Sequence, residues 1–207
     1  MSNIKLYRHP LSGHAHRVEL FLSILGLKAD IIDVDVMGGE HKKPEFLSKN
    51  IFGQIPVLED GATTLSDSNA ILAFLASKYD TTSTWLPVNP EELSAVQRFL
   101  SVAAGSVAFG PAAARLVNVF GADLNHEQAK ERSNDLLATL NDHLWDRKWL
   151  ATQNPTIADI ANYTYIAHAP EGDISLEPYP HVMAWLRRVE ALAGFVPMQR
   201  TEVGLAA

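Results

Sequence analysis

The chain has 207 residues, enough for a sizeable core in one domain or two small ones, and its 47% hydrophobic and 20% charged residues exclude a disordered composition. With 17 Lys and Arg against 24 Asp and Glu, the formal charge is −7 and the basic residues gather nowhere, which argues against a nucleic-acid partner. Cysteine is absent, so the chain has no disulfide framework, thiolate metal site or cysteine nucleophile, and any thiol chemistry has to use a substrate's thiol.

The first residues carry no basic segment followed by a long apolar stretch, and no window reads as a bilayer span, so a cytoplasmic protein without a membrane partner is expected. Residues Ile4–Arg8 read as a short strand, closed by the turn Pro10-Leu11-Ser12-Gly13. Val18, Phe21, Leu22 and Leu25 share one face of a helix, and Gly26 stands at its left-handed C-terminal cap. The alternation over 31–36 predicts a second strand, parallel to the first through a right-handed crossover. After a polar stretch over 38–50, Ile55-Pro56-Val57-Leu58-Glu59 and Thr63-Thr64-Leu65 flank Asp60-Gly61, a hairpin signal. Ile71, Phe74 and Leu75 mark a helix ending near Tyr79, so the predicted order is β-α-β-α-β-β-α.

Residues 81–90 hold Pro87, Pro90 and several Ser and Thr, the composition of a linker. The rest shows helical periodicity only: Leu93, Val96 and Leu100; Leu137, Leu140 and Leu144; Ile157, Ile160 and Ala161. The domains are therefore expected at 1–80 and 91–207.

Four features in the first domain bear on chemistry. Ser12 suits a helix N-cap, and equally a hydroxyl presented where the helix dipole and free N–H groups favour an anion such as a thiolate. Pro56, in Gly53-Gln54-Ile55-Pro56-Val57, is either a trans proline at a strand edge or the cis residue that leaves the Ile55 backbone open to an extended peptide ligand. Asp67-Ser68 caps a helix and offers a carboxylate and a hydroxyl to an amino-acid-like ligand. His41 and Lys42, followed by Lys43, suit a terminal carboxylate, although such lysines commonly belong to a solvated loop. His9, His14 and His16 do not read as a metal site: residues two apart on a helix point about 200° away from each other, and no nearby carboxylate completes a set.

Taken together, Ser12, Gly53-Gln54-Ile55-Pro56-Val57-Leu58 and Asp67-Ser68 resemble the pattern of the cytosolic glutathione transferases, at the spacing of bacterial serine-type, theta-like members, over nearly the whole chain. Pro155-Thr156-Ile157-Ala158-Asp159 is similar to the family's capping box, and Ala169-Pro170-Glu171-Gly172 and the segment from Tyr179 to Leu186 to bacterial members. The resemblance implies a thioredoxin-like α/β domain binding glutathione as co-substrate, and an all-α domain with a pocket for an apolar electrophile. In that reading Ser12 is catalytic and hydrogen-bonds the glutathione sulfur. Ile55, before Pro56, pairs with the cysteinyl backbone, Asp67 and Ser68 hold the γ-glutamyl end, and Gln54, His41 and Lys42 take the glycyl side. Many relatives have Ser-Gly-Asn where this chain has Ser12-Gly13-His14, and Tyr7 is read as a strand residue, not as the catalytic hydroxyl.

Ser106, Phe109 and Arg115 are candidates for the electrophile pocket, with a core role for Phe109 and a structural ion pair for Arg115 as alternatives. The resemblance also implies a homodimer, with Phe52 as an interface anchor. The alternatives in function are a glutathione-dependent reductase, whose relatives carry Cys at the Ser12 position, and a transferase-like binding module without turnover.

Overall fold

A computed structural model of the protein describes residues 4–207, which form two compact units. One holds the chain up to Thr81 together with Ala193–Gln199, and the other holds Thr82–Leu192 with Arg200–Ala207. The seven residues after Leu192 thus cluster with the amino-terminal unit, which a single cut in the sequence does not anticipate.

The first unit runs β1 (Ile4–Arg8), α1 (Gly13–Ile24), β2 (Ala29–Asp33), a 3-10 turn over Glu40–Lys42, α2 (Pro44–Leu47), β3 (Val57–Asp60), β4 (Thr63–Ser66) and α3 (Ser68–Tyr79). Its sheet has the order β2-β1-β3-β4, with β1 and β2 parallel and the other pairs antiparallel. This is the predicted β-α-β-α-β-β-α sequence of elements. Gly26 takes φ +66, the left-handed conformation expected after α1.

The second strand is displaced from its expected position. β1 offers only five residues, so Ile4 to Arg8 pair with Ala29 to Asp33, and the ladder ends halfway through the 31–36 run. Val34 still donates to the Arg8 carbonyl at 2.7 Å and is buried, which accounts for the apolar alternation continuing beyond the strand. As an edge strand, β2 carries exposed Asp30 and Asp33, charges that discourage pairing with another chain. Leu6 and Leu58 of the sheet, Phe21 of α1 and Leu72 and Leu75 of α3 have no exposed surface. Each such burial contributes about 1.5–3 kcal/mol relative to exposure.

The second unit contains α4 (Pro90–Ala104), a π-helical turn over Ala108–Ala112, α5 (Ala113–Phe120), α6 (His126–His143), α7 (Ile157–Ala167), a 3-10 turn over Ala169–Gly172 and α8 (Pro180–Glu190). Asn89 starts α4 by accepting from the amides of Glu91 and Glu92 at 2.9 and 3.1 Å, with Pro90 behind it at the first helical position. Pro111 and the non-helical Gly110 (φ −105°, ψ −105°) break the helix between α4 and α5. α7 is the centre of the unit: Ile157 through Ile166 are all buried.

One part of the sequence reading needs correction. An 18-residue window within the run Pro90–Phe120 has a mean hydropathy of 1.4, apolar enough to cross a membrane by length and composition. Its apolar residues serve the helical core: Val96, Ala103, Val107 and Ala114 are fully buried, and Asn162 of α7 donates to the Phe99 carbonyl at 2.9 Å.

Candidate functional site

Ser12 is the N-cap of α1. Its backbone is extended (φ −86°, ψ 113°), and its Oγ accepts from the Ala15 amide at 3.3 Å. Among the described residues no acceptor takes its hydroxyl proton. The oxygen therefore caps the helix with a lone pair while its O–H remains a donor, beside the first-turn amides of Gly13 and His14. Tyr7 is differently placed, because its hydroxyl donates to Glu59 Oε2 at 3.2 Å and its ring packs edge-on against Phe46.

A second cluster lies before β3. The Ile55-Pro56 bond is cis, and Ile55 lies outside the β1–β3 and β3–β4 ladders. Gly53 has φ +57, and a side-chain carbon there would sit 2.6 Å from the His41 carbonyl oxygen, so only glycine fits. Asn50, which the sequence reading passed over, ties this loop: it donates to the Gln54 carbonyl at 2.8 Å and accepts from the Phe52 amide at 3.1 Å. Lys42 donates to the carbonyls of Phe52 and Gly53 at 3.2 and 2.9 Å, which occupies two of its three protons. His41 Nδ1 is buried without a hydrogen-bond partner among the described residues, and Gln54 is exposed.

The third cluster opens α3. Asp67 is its N-cap, accepting from the Ala70 amide at 2.9 Å, with φ +72. A non-glycine residue in that region costs about 1–3 kcal/mol and is concentrated at functional sites. Its carboxylate is exposed, whereas Ser68 is buried and accepts from Arg17 Nη1 at 3.2 Å. The same Arg17 nitrogen donates to His14 Nδ1 at 2.9 Å. Burial, aided by the Arg17 charge, lowers the His14 pKa to about 3. The structure thus joins residues near Ser12 to Ser68 through Arg17, a residue that sequence reasoning missed. Its signal was a lone Arg beside Val18, on a helix whose apolar face runs through Val18, Phe21 and Leu22.

The other histidines have structural partners: His9 Nδ1 accepts from the Leu11 amide, and His16 Nε2 bonds the Val196 carbonyl at 2.9 Å. Among the described residues no cluster of His, Asp and Glu is arranged to hold a metal ion.

In the helical unit, a groove of about 940 Å³ runs along α4 and α6, lined by residues including Phe99, Val102, Ser106, Phe109, Leu136 and Leu140. Phe109 is 61% exposed, so it is not a core residue. Arg115 is no part of this lining. It is 1% exposed, and its Nε donates to Glu171 Oε2 at 2.6 Å, the structural ion pair. Burial alone would raise the Glu171 carboxyl, but hydrogen bonds from His168 and Thr201 and the Arg115 charge outweigh it and hold the pKa at about 2.

Two family models match the chain: the glutathione S-transferase N-terminal domain over residues 2–77, and the C-terminal domain over 111–193. Glutathione S-transferase 3 of Zea mays is 34% identical, over 94% of this chain and 92% of its own. Glutathione S-transferase theta-2 of Homo sapiens is 30% identical, over 92% and 82%. Among solved structures, a glutathione S-transferase from Pseudomonas fluorescens superposes with a TM-score of 0.88 at 33% identity, covering 95% of this chain and 99% of that one. A glutathione transferase homolog from Drosophila mojavensis, determined with bound glutathione, gives 0.81 at 27% identity over 93% and 89%. With a thioredoxin-like unit bearing a serine-capped helix, a cis-proline loop and an Asp-Ser helix start, followed by a helical unit, this chain belongs to the glutathione S-transferase family.

Proposed function

We propose that the protein is a glutathione transferase with Ser12 as its catalytic residue, and the observation that carries this reading is the Ser12 hydroxyl, capped on its oxygen side and unspent on its proton side. A free thiol has a pKa near ~8.5, so most glutathione is protonated at neutral pH. Donation from Ser12 to the sulfur, with the positive end of α1 behind it, stabilises the thiolate by about 1.4 kcal/mol for each unit of lowering. The sulfur then attacks an electrophilic carbon, forming the S–C bond as the leaving group departs with the bonding electrons. With a peroxide the thiolate attacks an oxygen, the O–O bond breaks and the alkoxide leaves as the alcohol after taking a proton, and a second glutathione thiol displaces water from the resulting sulfenic acid to give the disulfide.

The remaining residues take the peptide. The exposed Asp67 carboxylate receives the γ-glutamyl amine, and Ser68 at the start of α3 receives its carboxylate. Ile55, before Pro56, offers its backbone to the cysteinyl residue. His41, with its buried unmet Nδ1, Gln54 and the third proton of Lys42 take the glycyl side. Residues 1–80 serve glutathione, 81–90 are the linker, and 91–207 supply the electrophile pocket, in which Ser106 and Phe109 take part. The protein works as a cytoplasmic homodimer anchored by Phe52.

The absence of cysteine disfavours the reductase reading, because thiol exchange through a mixed disulfide would need one at position 12. A panel of halides, epoxides and peroxides assayed with glutathione tests the proposal. Conjugate or alcohol formation is expected with at least one class. Tight glutathione binding without turnover on any would leave a binding module and overturn the enzyme reading.

A further inference from the structure

Arg17 is 1% exposed, near the start of α1, where helix formation and apolar packing do not require a cation. Burying a guanidinium is costly unless its hydrogen bonds are used. One nitrogen, Nη1, reaches two acceptors: His14 Nδ1 at 2.9 Å and Ser68 Oγ at 3.2 Å. Its two hydrogens thereby tie the first turn of α1, capped by Ser12, to the first residue of α3, capped by Asp67.

Donor accounting gives this fork a direction. A guanidinium has donors only, so His14 Nδ1 has to be the acceptor, and the imidazole is neutral with its proton on Nε2. The lowering of the His14 pKa to about 3 keeps it so across the working range. Ser68 receives the second hydrogen on a lone pair, which leaves its own proton to donate. That proton makes a long hydrogen bond of 3.4 Å to His14 Nδ1, an acceptor that already takes the shorter bond from Arg17, so a ligand carboxylate readily draws it away.

We propose that Arg17 is a positioning residue for the γ-glutamyl end of glutathione: its fork with His14 sets the Ser68 hydroxyl as a donor to the ligand's α-carboxylate. This rests on the glutathione reading given above. Arg17 acts through Ser68, so its contribution belongs to ligands that carry the γ-glutamyl carboxylate and to no others.

The test is calorimetric binding of glutathione and of cysteinylglycine, which keeps the thiol and glycyl end and lacks the γ-glutamyl group. Wild type, Arg17→Met, Ser68→Ala and the double variant are compared, with melting curves alongside. Loss of the oriented charge-assisted contact should weaken glutathione by about tenfold or more in Arg17→Met and leave cysteinylglycine within about twofold. In the Ser68→Ala background the Arg17→Met penalty should largely vanish. Equal weakening of both thiols, or a lowered melting temperature with unchanged glutathione affinity, makes Arg17 a packing residue and overturns the proposal. Should Arg17→Met fail to fold, Arg17→Lys keeps the cation but not the planar fork. A smaller loss confined to glutathione is then expected, and wild-type affinity overturns the fork. A wild-type protein that does not bind glutathione overturns this proposal together with the reading beneath it. Binding by wild type with unaffected variants overturns this one alone.

Discussion

In the role proposed for Ser12, capping and catalysis need not compete. A hydroxyl has two lone pairs and one proton: the Ala15 amide takes a lone pair, and the proton is left for a sulfur. Ser12→Ala should therefore lower turnover strongly, by the 10²–10³-fold order typical of a lost transition-state donor, and move the kinetic pKa of the bound thiol up toward ~8.5. Glutathione affinity should stay near wild type, because in the proposed binding mode Asp67, Ser68 and the loop before Pro56 hold the peptide. The measurement is kcat/KM against pH beside a melting curve. A variant that loses only about 1 kcal/mol of stability, with its pH profile unmoved, would reduce Ser12 to a cap. Ser12, Asp67 and Ser68 were legible in the sequence because turn and cap chemistry is local. Arg17 was not, since its partner Ser68 lies 51 positions away and periodicity does not reveal what a buried cation touches.

At the scale of elements, α7 shows how a local motif acquires a tertiary load. The capping box was readable from Thr156 and Asp159, and the Asp159 carboxylate does accept the Thr156 amide at 2.9 Å. It also accepts the Leu150 amide at 3.0 Å and the Trp185 indole N–H at 2.9 Å, with no exposed surface. Asp159→Ala would thus leave three buried donors without a partner, at about 1–3 kcal/mol each. A loss of roughly 3 kcal/mol or more is expected, beyond the ~1 kcal/mol of a cap alone. Urea melts give the stability, and titration of the folded fraction should show unchanged glutathione affinity. An unaltered midpoint would mean that the carboxylate does not bear this load. The shift of β2 has the same origin in reverse, for the alternation in its sequence was real, but the five-residue partner strand set its length.

For the whole molecule, Ile51 and Phe52 are 80% and 70% exposed at the loop that precedes Gly53, an apolar pair that water solvates poorly. This supports the proposed homodimer, in which the first unit of one copy would pack on the second unit of the other with Phe52 as anchor. Light scattering after size exclusion should give the dimer mass at micromolar concentration, and Phe52→Ser should shift the protein toward monomer. A monomeric wild type would remove Phe52 from that role. The sequence by itself determined the order of elements in the first unit, the helical character of the second, the caps at Asp67 and Thr156 and the family motifs, because these depend on neighbours within a turn of helix or across a hairpin. Only the tertiary structure decided that Arg115 is bound to Glu171 and absent from the groove, that Ala193–Gln199 clusters with the first unit, and that Arg17 joins two helix starts. Each of those depends on which distant segment meets the side chain, and burial makes that choice by covering apolar surface with whatever satisfies the polar atoms within it.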